Sequence, residues 1–449
     1  MISLLPIELI RAKTDSGLKV QEYLMASSFK AFFLFSLLLL AVAFGYFWFD
    51  DSLNPKAEYW IKHYQTEVNT DHNAFIYLIG LNNDNNKDPF RSGLSKYQKQ
   101  VDMYQDSFID LTKKLSYPDP QILPEAETDP LLCNLNEPEC ISLLRENMEE
   151  VEALVTYYQP LLSQFHRMAS LSNFSFINTE LTQANFVFNT LSRIAALDTL
   201  VAIWQRDYEK ANHLLASQVA IERTLMTHAF TVEFKIFPLI HIKTLYQPLI
   251  TLLVEQHKAD TARLEKVLFP LSAEEFSFQT TWMKLFTDNL SLLTDDSLYQ
   301  DFKAGYPEYS FLPLRLLYKE SMTLNAIFKH HHINAQVRLV PKRTLLQRLE
   351  NHNKKAAQRQ DMEINYRNFI GSVLVATSAP KYLDLNNDLI EFDRRLSLLR
   401  LLINSQEDSM DALISEQDYR DPYSEALPAL KGKQLCYPAS NENTCIAVH

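Results

Sequence analysis

The sequence predicts an all-α protein, made of one transmembrane helix and a mainly helical periplasmic domain, and three observations support this. Only 7 glycines occur in 449 residues, whereas average usage is about 7%, so folds that depend on glycine-rich turns are disfavoured. Long segments after residue 50 space their apolar residues by three and four, as amphipathic helices do. Residues 31–49 are uncharged and apolar except for Ser36 and Gly45.

Residues 31–49 have the length and chemistry of a membrane-spanning helix. A bilayer core about 30 Å thick needs roughly 20 helical residues, and a helix satisfies all of its backbone groups internally. Lys30 lies at one end and Trp48 in an aromatic group at the other, as membrane anchors do. Cations gather before the segment, so the amino-terminal tail is predicted to be cytoplasmic and the bulk of the chain periplasmic.

A cleavable signal peptide is the alternative interpretation of the same segment. Ala41–Ala43 reads "AVA", which matches the small-x-small cleavage pattern. The charged leader before the segment is long for a signal peptide, and apolar residues continue past the cleavage point. These two facts favour a retained anchor in the inner membrane and leave cleavage after Ala43 as the open alternative.

Four cysteines support export from the cytoplasm. All follow the predicted span, and they form two local pairs, Cys133 with Cys140 and Cys436 with Cys445. This pattern is typical of disulfides formed in an oxidising compartment. Zinc sites usually space their cysteines two to four residues apart, and the spacing here is wider. The sequence therefore predicts two disulfides, no metal and no cofactor.

The charge of the chain restricts its partners. Its formal net charge is −12, and an acidic protein is unsuited to non-specific nucleic-acid binding. The predicted partners are the membrane and an envelope protein, while the oligomeric state stays open. Five segments are expected: a cytoplasmic tail (1–30), a span (31–49), a membrane-proximal segment with a proline-rich connector (50–132), a helical domain (133–420) and an irregular tail with a disulfide-linked hairpin (421–449).

Several helices can be placed within these segments. Single helices are predicted at about 91–115 and 139–168. A helical hairpin follows, in which Trp204 ends the first helix, Asp207 caps the second and Ala211 packs between them. It resembles one tetratricopeptide-type hairpin, but an ordinary hairpin is the favoured interpretation, since no second copy occurs at a 34-residue period.

The most apolar stretch after the span, residues 234–257, is predicted to be a kinked buried helix. It contains Pro238, His241, Lys243 and Pro248. A charge at the centre of a membrane helix costs about 2.5–3.5 kcal/mol, which disfavours a second span. A helix lying on the membrane surface or against a partner is the alternative.

The sequence contains no motif that defines a reaction. The P-loop, the G-x-S-x-G elbow and the H-E-x-x-H zinc motif are all missing. Loops that begin at Asp84 and Asp384 start like calcium sites, but both lack the glycine at position six and the glutamate at position twelve. The adjacent His330, His331 and His332 would point about 100° apart on a helix, so they cannot converge on one ion.

One basic patch stands out in this acidic chain. Between residues 329 and 359 eight cations are interrupted by a single acid, Glu350. They are Lys329, Arg338, Lys342, Arg343, Arg348, Lys354, Lys355 and Arg359. An ordinary solvated surface is the favoured interpretation of the patch. The alternatives are contact with anionic lipid headgroups, with an acidic partner or with acidic stretches of the same chain.

Two functions follow from these patterns. The first is a non-enzymatic interaction or scaffold module of the cell envelope, which uses the helical hairpin and the basic patch as surfaces. The alternative is an envelope hydrolase whose site is assembled from distant helices. Its candidate residues are His228, Glu233 and His241, near the apolar helix that contains proline.

The chain also resembles a group of uncharacterised proteobacterial inner-membrane proteins with one span and an exported helical domain. The matching residues are Asn73 to Phe75, Tyr77, Leu78, Gly80, Leu81, Asp88, Pro89 and Gly93, followed by a cysteine pair and by Asp421 to Ser424. The resemblance implies architecture and location but no activity. Glu425 departs from it, because the group carries glycine at that position.

Overall fold

The computed structural model is mainly helical and has one small antiparallel sheet, which confirms the helical fold class. The part of the chain that the structure describes comprises residues 30, 32–42, 44–64, 69–81, 88–106, 123–124, 128–175, 182–293, 318–336, 342–347, 351, 365–378, 384–406, 409–438 and 444–448.

Seventeen helices of the described residues are named here in chain order. They are α1 (Phe32–Trp48, apart from Ala43), α2 (Pro55–Tyr64), α3 (Ala74–Leu81), α4 (Pro89–Asp106), α5 (Pro138–Glu146), α6 (Met148–Arg167), α7 (Thr182–Trp204), α8 (Tyr208–Thr227), α9 (Glu233–His241), α10 (Gln247–Glu255), α11 (Thr261–Glu265), α12 (Ala273–Phe276), α13 (Gln279–Leu293), α14 (Glu320–Gln336), α15 (Phe369–Ser378), α16 (Asp384–Asn404) and α17 (Met410–Ile414).

The chain divides into two compact units. Unit 1 takes residues 1–54, 298–326 and 362–378, and unit 2 takes residues 55–297, 327–361 and 379–449. Each unit is assembled from segments far apart in the sequence, and the division falls within α14, between Ala326 and Ile327. The five linear segments expected from the sequence stay a prediction about the order of the chain.

The α7–α8 hairpin forms as the sequence predicts and lies at the centre of unit 2. α7 ends at Trp204, and the Asp207 carboxylate accepts a hydrogen bond from the Lys210 amide at 3.1 Å, which caps α8. Ala211 is completely buried, so its small side chain lets the two helices approach closely.

A helix is present in unit 2 where the sequence predicts a kinked buried helix, and it runs from Glu233 to Glu255. α9 and α10 are joined by a π-helical turn, Ile242–Tyr246, which is followed by Gln247 and Pro248 at the start of α10. A proline has no N–H to donate to a carbonyl of the preceding turn. A π turn encloses one more residue than an α-helical turn, and it lies here just before the point where Pro248 interrupts the hydrogen bonding. The helix Glu233–Glu255 and the helix Ala184–Trp204 are long and apolar enough to cross a membrane, but both are mainly buried, as core helices of soluble domains are.

One predicted helix is interrupted in the structure. The helix expected at 139–168 breaks into α5 and α6 at Asn147, whose backbone leaves the helical region with φ −110° and ψ 33°. The Asn147 side-chain amide donates to the Leu143 carbonyl at 2.8 Å, and such local bonds compete with helix propagation. Because of the break, Leu143 is exposed instead of facing the core.

Two further expectations meet the structure in different ways. The helix expected at 91–115 is seen as α4 up to Asp106, and its remainder lies outside the described residues. The calcium-like segment from Asp384 lies entirely within α16, so it does not fold as an ion-binding loop. The similar segment from Asp84 has its polar loop outside the described residues.

Two disulfides join the four cysteines in the pairs that the spacing predicts. Cys133 bonds Cys140 with their Cα atoms 5.8 Å apart. Cys436 bonds Cys445, and the two residues lie directly opposite each other in neighbouring antiparallel strands, β2 (Gln434–Cys436) and β3 (Cys445–Ala447). A third strand, β1 (Ala429–Lys431), was not predicted and pairs with β2.

Candidate functional site

The end of α1 is embedded in a polar cluster of unit 1 that we name the collar, residues 49–54, 318–326 and 365–378. The Asp50 carboxylate accepts hydrogen bonds from the amides of Ser321 at 2.7 Å and Met322 at 3.2 Å. These amides belong to the first turn of α14, where a helix has no internal acceptors. Asp50 therefore caps α14, although 271 residues separate it from Ser321.

Two cations complete the carboxy-terminal end of α1. Lys319 Nζ donates to the Trp48 carbonyl at 3.2 Å, and Arg367 donates to the Phe49 carbonyl and to Asp51 Oδ1, the latter at 2.9 Å. The last carbonyls of a helix lack partners within it and attract positive charge. The Arg367 guanidinium also lies 5.2 Å from the centre of the Tyr46 ring, so it binds both backbone and side chain at this end.

Amide side chains connect the other parts of the collar. Asn325 accepts from the Asn54 amide at 2.7 Å and donates to the Ser52 carbonyl at 2.9 Å. These two bonds fix the linker that follows α1 against α14. The arrangement gives the end of α1 a defined orientation within unit 1.

Asn368 links the two distant segments of the collar to each other. Its side chain accepts from the Lys319 amide at 2.8 Å and donates to Thr323 Oγ1 at 2.9 Å. A Cβ atom on Gly371 would lie only 2.0 Å from Thr323 Oγ1, so glycine is required for this close approach of α15 to α14.

Burial shifts the ionisation of the collar. Desolvation lowers the pKa of Lys319, while the nearby Asp50 opposes that change. Desolvation raises the pKa of Glu320, and the Asp50 charge raises it further. The collar therefore holds ionisable groups in a partly dry environment, where ion pairs and hydrogen bonds are stronger than in water.

The predicted basic patch is only partly described by the structure. Lys329 is exposed on α14, and Lys342 and Arg343 lie in the short helical segment 342–347. The other five cations, Arg338, Arg348, Lys354, Lys355 and Arg359, lie outside the described residues. Arg343 forms an ion pair with Glu425, and both side chains are exposed.

Lys342 forms an ion pair with a buried carboxylate of unit 2. Its Nζ lies 2.6 Å from Asp393 Oδ2, and the Asp393 side chain is fully buried. The same carboxylate accepts from Tyr423 Oη at 2.8 Å and from the Leu271 amide at 2.6 Å. Burial and the Asp393 charge raise the pKa of Tyr423. Lys342 thus neutralises a buried acid, and the predicted docking surface needs other cations.

The Asp421-to-Ser424 motif is a turn fixed on α16. Arg394 donates two hydrogen bonds to the Asp421 carboxylate, at 3.1 and 2.8 Å, and both side chains are buried. Asp421 also accepts from the Tyr423 amide at 3.1 Å, which tightens the turn. The motif therefore anchors the segment that leads into the sheet.

His241 is the candidate catalytic residue that lies in a polar cluster. Its Nδ1 lies 2.6 Å from Glu222 Oε1, and its Nε2 lies 3.0 Å from Asn189 Oδ1. Glu222 Oε1 also accepts from Tyr246 Oη at 2.8 Å, and Glu222 Oε2 has no hydrogen-bond partner. Burial raises the pKa of Tyr246 well above its usual value, with the Glu222 charge adding to the effect. His241, Glu222 and Tyr246 are buried, and Asn189 at the edge of the cluster is partly exposed.

The other two candidates of the hydrolase hypothesis lie apart from this cluster. His228 is exposed and its ring stacks on Phe174, with the centroids 5.1 Å apart. Glu233 is exposed at the start of α9. His241 instead binds Glu222, which the sequence did not single out, so the proposed trio of His228, Glu233 and His241 does not form one site.

The adjacent histidines of α14 face different neighbours. His331 is buried beside Trp282, with the ring centroids 5.3 Å apart, whereas His332 stacks on Phe328 at 5.0 Å. Burial lowers the pKa of His331 to about 3. Within the described ranges, no group of three or more His, Cys, Asp or Glu side chains is placed to hold a metal ion.

Comparisons with known proteins add no identity to this description. No protein-family model, curated protein or solved structure matches the chain.

Sequence reasoning missed the residues that build the collar. An aspartate pair directly after an apolar run was visible at Asp50 and Asp51, but nothing local connects it with Lys319 or Arg367. Asp50 meets Ser321 across 271 residues and Asp51 meets Arg367 across 316 residues. Such distant contacts leave no trace in the periodicity or spacing of the sequence.

Proposed function

We propose that the protein is a single-pass inner-membrane protein whose helical periplasmic domain acts as a non-enzymatic interaction or scaffold module of the cell envelope. The observation that carries the proposal is the exposure of α1. About half of the exposed large apolar side chains in the described part of the chain lie between Phe32 and Phe49, each between 47% and 68% exposed. Such a continuous apolar surface is typical of a segment covered by lipid.

The geometry of α1 supports the same assignment. Its seventeen positions would extend about 26 Å as an α-helix, which approaches the thickness of a bilayer core. Trp48 is 59% exposed and Tyr46 is 59% exposed, at the end that carries the collar. Aromatic side chains of this kind favour the membrane interface. Lys30 is exposed at the opposite end.

The disulfides support a periplasmic location for the bulk of the chain. Both bonds lie in unit 2, and disulfides persist in oxidising compartments. The charge pattern around α1 favours the same orientation. An interaction role is supported by the burial of the His241 imidazole, by the exposed turn of the α7–α8 hairpin around Glu209, and by the exposed Lys329.

Membrane extraction of the full chain from a Gram-negative host tests the anchor. We expect the protein to stay in the pellet after an alkaline carbonate wash. A variant with Leu38→Arg and Leu39→Arg should move to the soluble fraction, because each central charge costs about 2.5–3.5 kcal/mol. The matched control, Leu38→Phe with Leu39→Phe, should remain in the membrane. Release of the wild-type protein by carbonate would refute the anchor.

The mature amino terminus separates the anchor from a cleaved signal. Retention of Met1 supports a tether, whereas a chain that begins at Phe44 shows cleavage after Ala43 and a free periplasmic protein.

Photo-crosslinking in cells tests the interaction role. A crosslinking amino acid at Lys329 and at Glu209 of the hairpin should yield discrete products with one envelope protein. The exposed Lys431 in β1 is the matched control and should yield none. If neither test position gives a product in the native membrane, the scaffold proposal loses its partner.

An envelope hydrolase is the second candidate, and the 2.6 Å contact between His241 and Glu222 is the observation that favours it. A histidine held by a carboxylate is the orientation used by catalytic bases. Hydrolysis of model esters or wall fragments by the wild type, lost in His241→Gln at unchanged melting temperature, would support this candidate. Lack of hydrolysis by the wild type would leave the cluster a structural one.

A further inference from the structure

We infer that the collar carries a second lipid-contacting surface, formed by Tyr366, Phe369 and Val373, that lies in the outer interface of the bilayer beside the end of α1. This inference rests on the proposed membrane span. It adds an interfacial contact to that span and commits to lipid as the occupant of this surface.

The three side chains of this surface are exposed. Tyr366 is 76% exposed, Phe369 is 41% exposed and Val373 is 43% exposed. They are separated by three and four residues, which places them on one face of the helical segment made by Tyr366–Asn368 and α15. An exposed aromatic and aliphatic face marks a site that contacts another molecule or a membrane.

The helix α15 is apolar in composition. α15 reads "FIGSVLVATS" and contains no charged residue. A docking surface for a soluble protein usually has a polar rim. Charged side chains are costly in a bilayer and aromatic side chains are enriched at its interface, so an uncharged helix with Phe369 at its start suits contact with lipid. The sequence of α15 therefore favours lipid as the partner.

The α15 face lies beside the end of α1, and this position favours lipid over a protein as its partner. Arg367 lies between Tyr366 and Asn368 in sequence, and its guanidinium binds the Phe49 carbonyl and lies over the Tyr46 ring. Because Arg367 is the next residue after Tyr366, these contacts tie the backbone beside Tyr366 to the end of α1. If Tyr46 and Trp48 lie at the membrane interface, this connection brings the α15 face to the same level.

The collar makes this placement rigid. Asn368 bonds both Lys319 and Thr323, and Gly371 packs directly against Thr323. These contacts fix α15 against α14, whose first turn is capped by Asp50 from the α1 linker. For the surface to turn away from the end of α1, either the buried Asn368 hydrogen bonds or the exposed hydrogen bonds of Asp50 and Arg367 would have to break.

The contact has a consequence for the domain outside the membrane. A single span lets the attached domain rotate and tilt, whereas a second contact at the interface restricts both motions. The Tyr366 face would therefore hold unit 1 in one orientation relative to the bilayer plane.

Site-directed spin labelling of the full chain in phospholipid vesicles tests the inference. Single cysteines are placed at Phe369 and Val373, and the native cysteines are occupied in disulfides. Leu37→Cys in α1 reports the span, and Tyr157→Cys, 62% exposed on α6, reports a water-exposed position. Collision rates with oxygen, which enters lipid, and with a nickel chelate, which stays in water, are measured for each label.

The inference predicts that the oxygen-to-nickel ratio at 369 and 373 lies several-fold above that at 157 and below that at 37. If 37 is in lipid but 369 and 373 match 157, the interfacial contact is refuted and the span is retained. If 37 itself is water-exposed, the proposed span fails and the inference fails with it. Labels at 369 and 373 shielded from both reagents would show that a protein covers the face, which also overturns the inference.

Discussion

Glu425 shows at the residue scale how one backbone angle explains a sequence pattern. Its φ is 60°, in the left-handed region that costs an L-residue about 1–2 kcal/mol. Glycine adopts this conformation freely, which accounts for the glycine expected at this position in the resembling group. The departure at Glu425 therefore changes the strain of the turn, while the path of the chain is kept.

Substitution of Glu425 measures this strain. Glu425→Gly and Glu425→Ala both remove the exposed ion pair with Arg343, so their difference reports the backbone alone. We expect the glycine variant to be more stable than the alanine variant by about 1 kcal/mol, since part of the relief is offset by the entropy of glycine in the unfolded chain. Chemical denaturation of the two variants gives the value, and equal stabilities would contradict it.

His331 gives a pH dependence to the stability of unit 2. Its pKa falls from 6.5 to about 3 on folding because of burial, so the unfolded chain binds a proton that the folded chain excludes. The stability contributed by the neutral ring is complete above pH 6.5 and is lost as the pH falls towards 3. The loss is at most about 1.4 kcal/mol per pH unit.

The variant His331→Phe should flatten this part of the profile. Denaturation midpoints measured between pH 7 and 4 should fall less steeply in the variant than in the wild type. The exposed His257→Asn is the control, because asparagine tolerates the left-handed φ of 53° at that position. A slope unchanged by His331→Phe would show that His331 is protonated in the folded state.

At the scale of elements, the α3–α4 pair depends on two glycines. A Cβ on Gly80 would lie 1.8 Å from the Pro89 carbonyl oxygen, and a Cβ on Gly93 would lie 1.8 Å from the Ile76 carbonyl oxygen. The opposing atoms are backbone, so neither helix can yield by rotating a side chain. These two positions therefore set the distance between the helices.

Alanine at either glycine should separate α3 from α4. We expect Gly80→Ala and Gly93→Ala each to lower the free energy of unfolding by about 3 kcal/mol, the upper part of the range for overpacking. Ser95→Ala, at an exposed position of α4, is the matched control and should change stability by less than about 0.5 kcal/mol. Wild-type stability in Gly80→Ala would contradict the close approach.

Elements that depend on neighbouring residues were predictable, and those that depend on distant ones were not. Trp204, Asp207 and Ala211 define a hairpin by local capping and packing, and the spacing of Cys436 and Cys445 defines their pairing. The break at Asn147 was missed because apolar spacing continues across it. The closed partnership of His241 with Glu222 was missed because these residues belong to different helices.

At the scale of the whole molecule, the collar could not be predicted either, because its residues are distant from one another in the sequence. The sequence located α1 through its composition, which needs no tertiary information. The collar forms because Asp50, Lys319 and Arg367 come together from three distant segments. Aspartate, lysine and arginine are also the commonest residues of ordinary protein surfaces, so their presence in the sequence did not point to the collar. The basic patch was an attractive surface by sequence, yet Lys342 binds the buried Asp393.

The protein as a whole is mainly helical, and the collar holds the end of α1 within unit 1; the tether of α1 to a membrane is the proposal that the tests address. Unit 2 carries both disulfides, the α7–α8 hairpin and the buried polar clusters. In unit 2 the His241 imidazole is buried, whereas Glu209 and Lys329 are exposed; the proposed partner binding places its surface at the exposed positions.

The most direct test is the side of the membrane on which unit 2 lies. The full chain with Tyr157→Cys is treated in intact cells, after opening of the outer membrane, with a maleimide that cannot cross the inner membrane. The account predicts that the thiol introduced at position 157 is labelled without lysis and that the protein remains in the membrane pellet. Labelling only after lysis of the inner membrane would contradict the account.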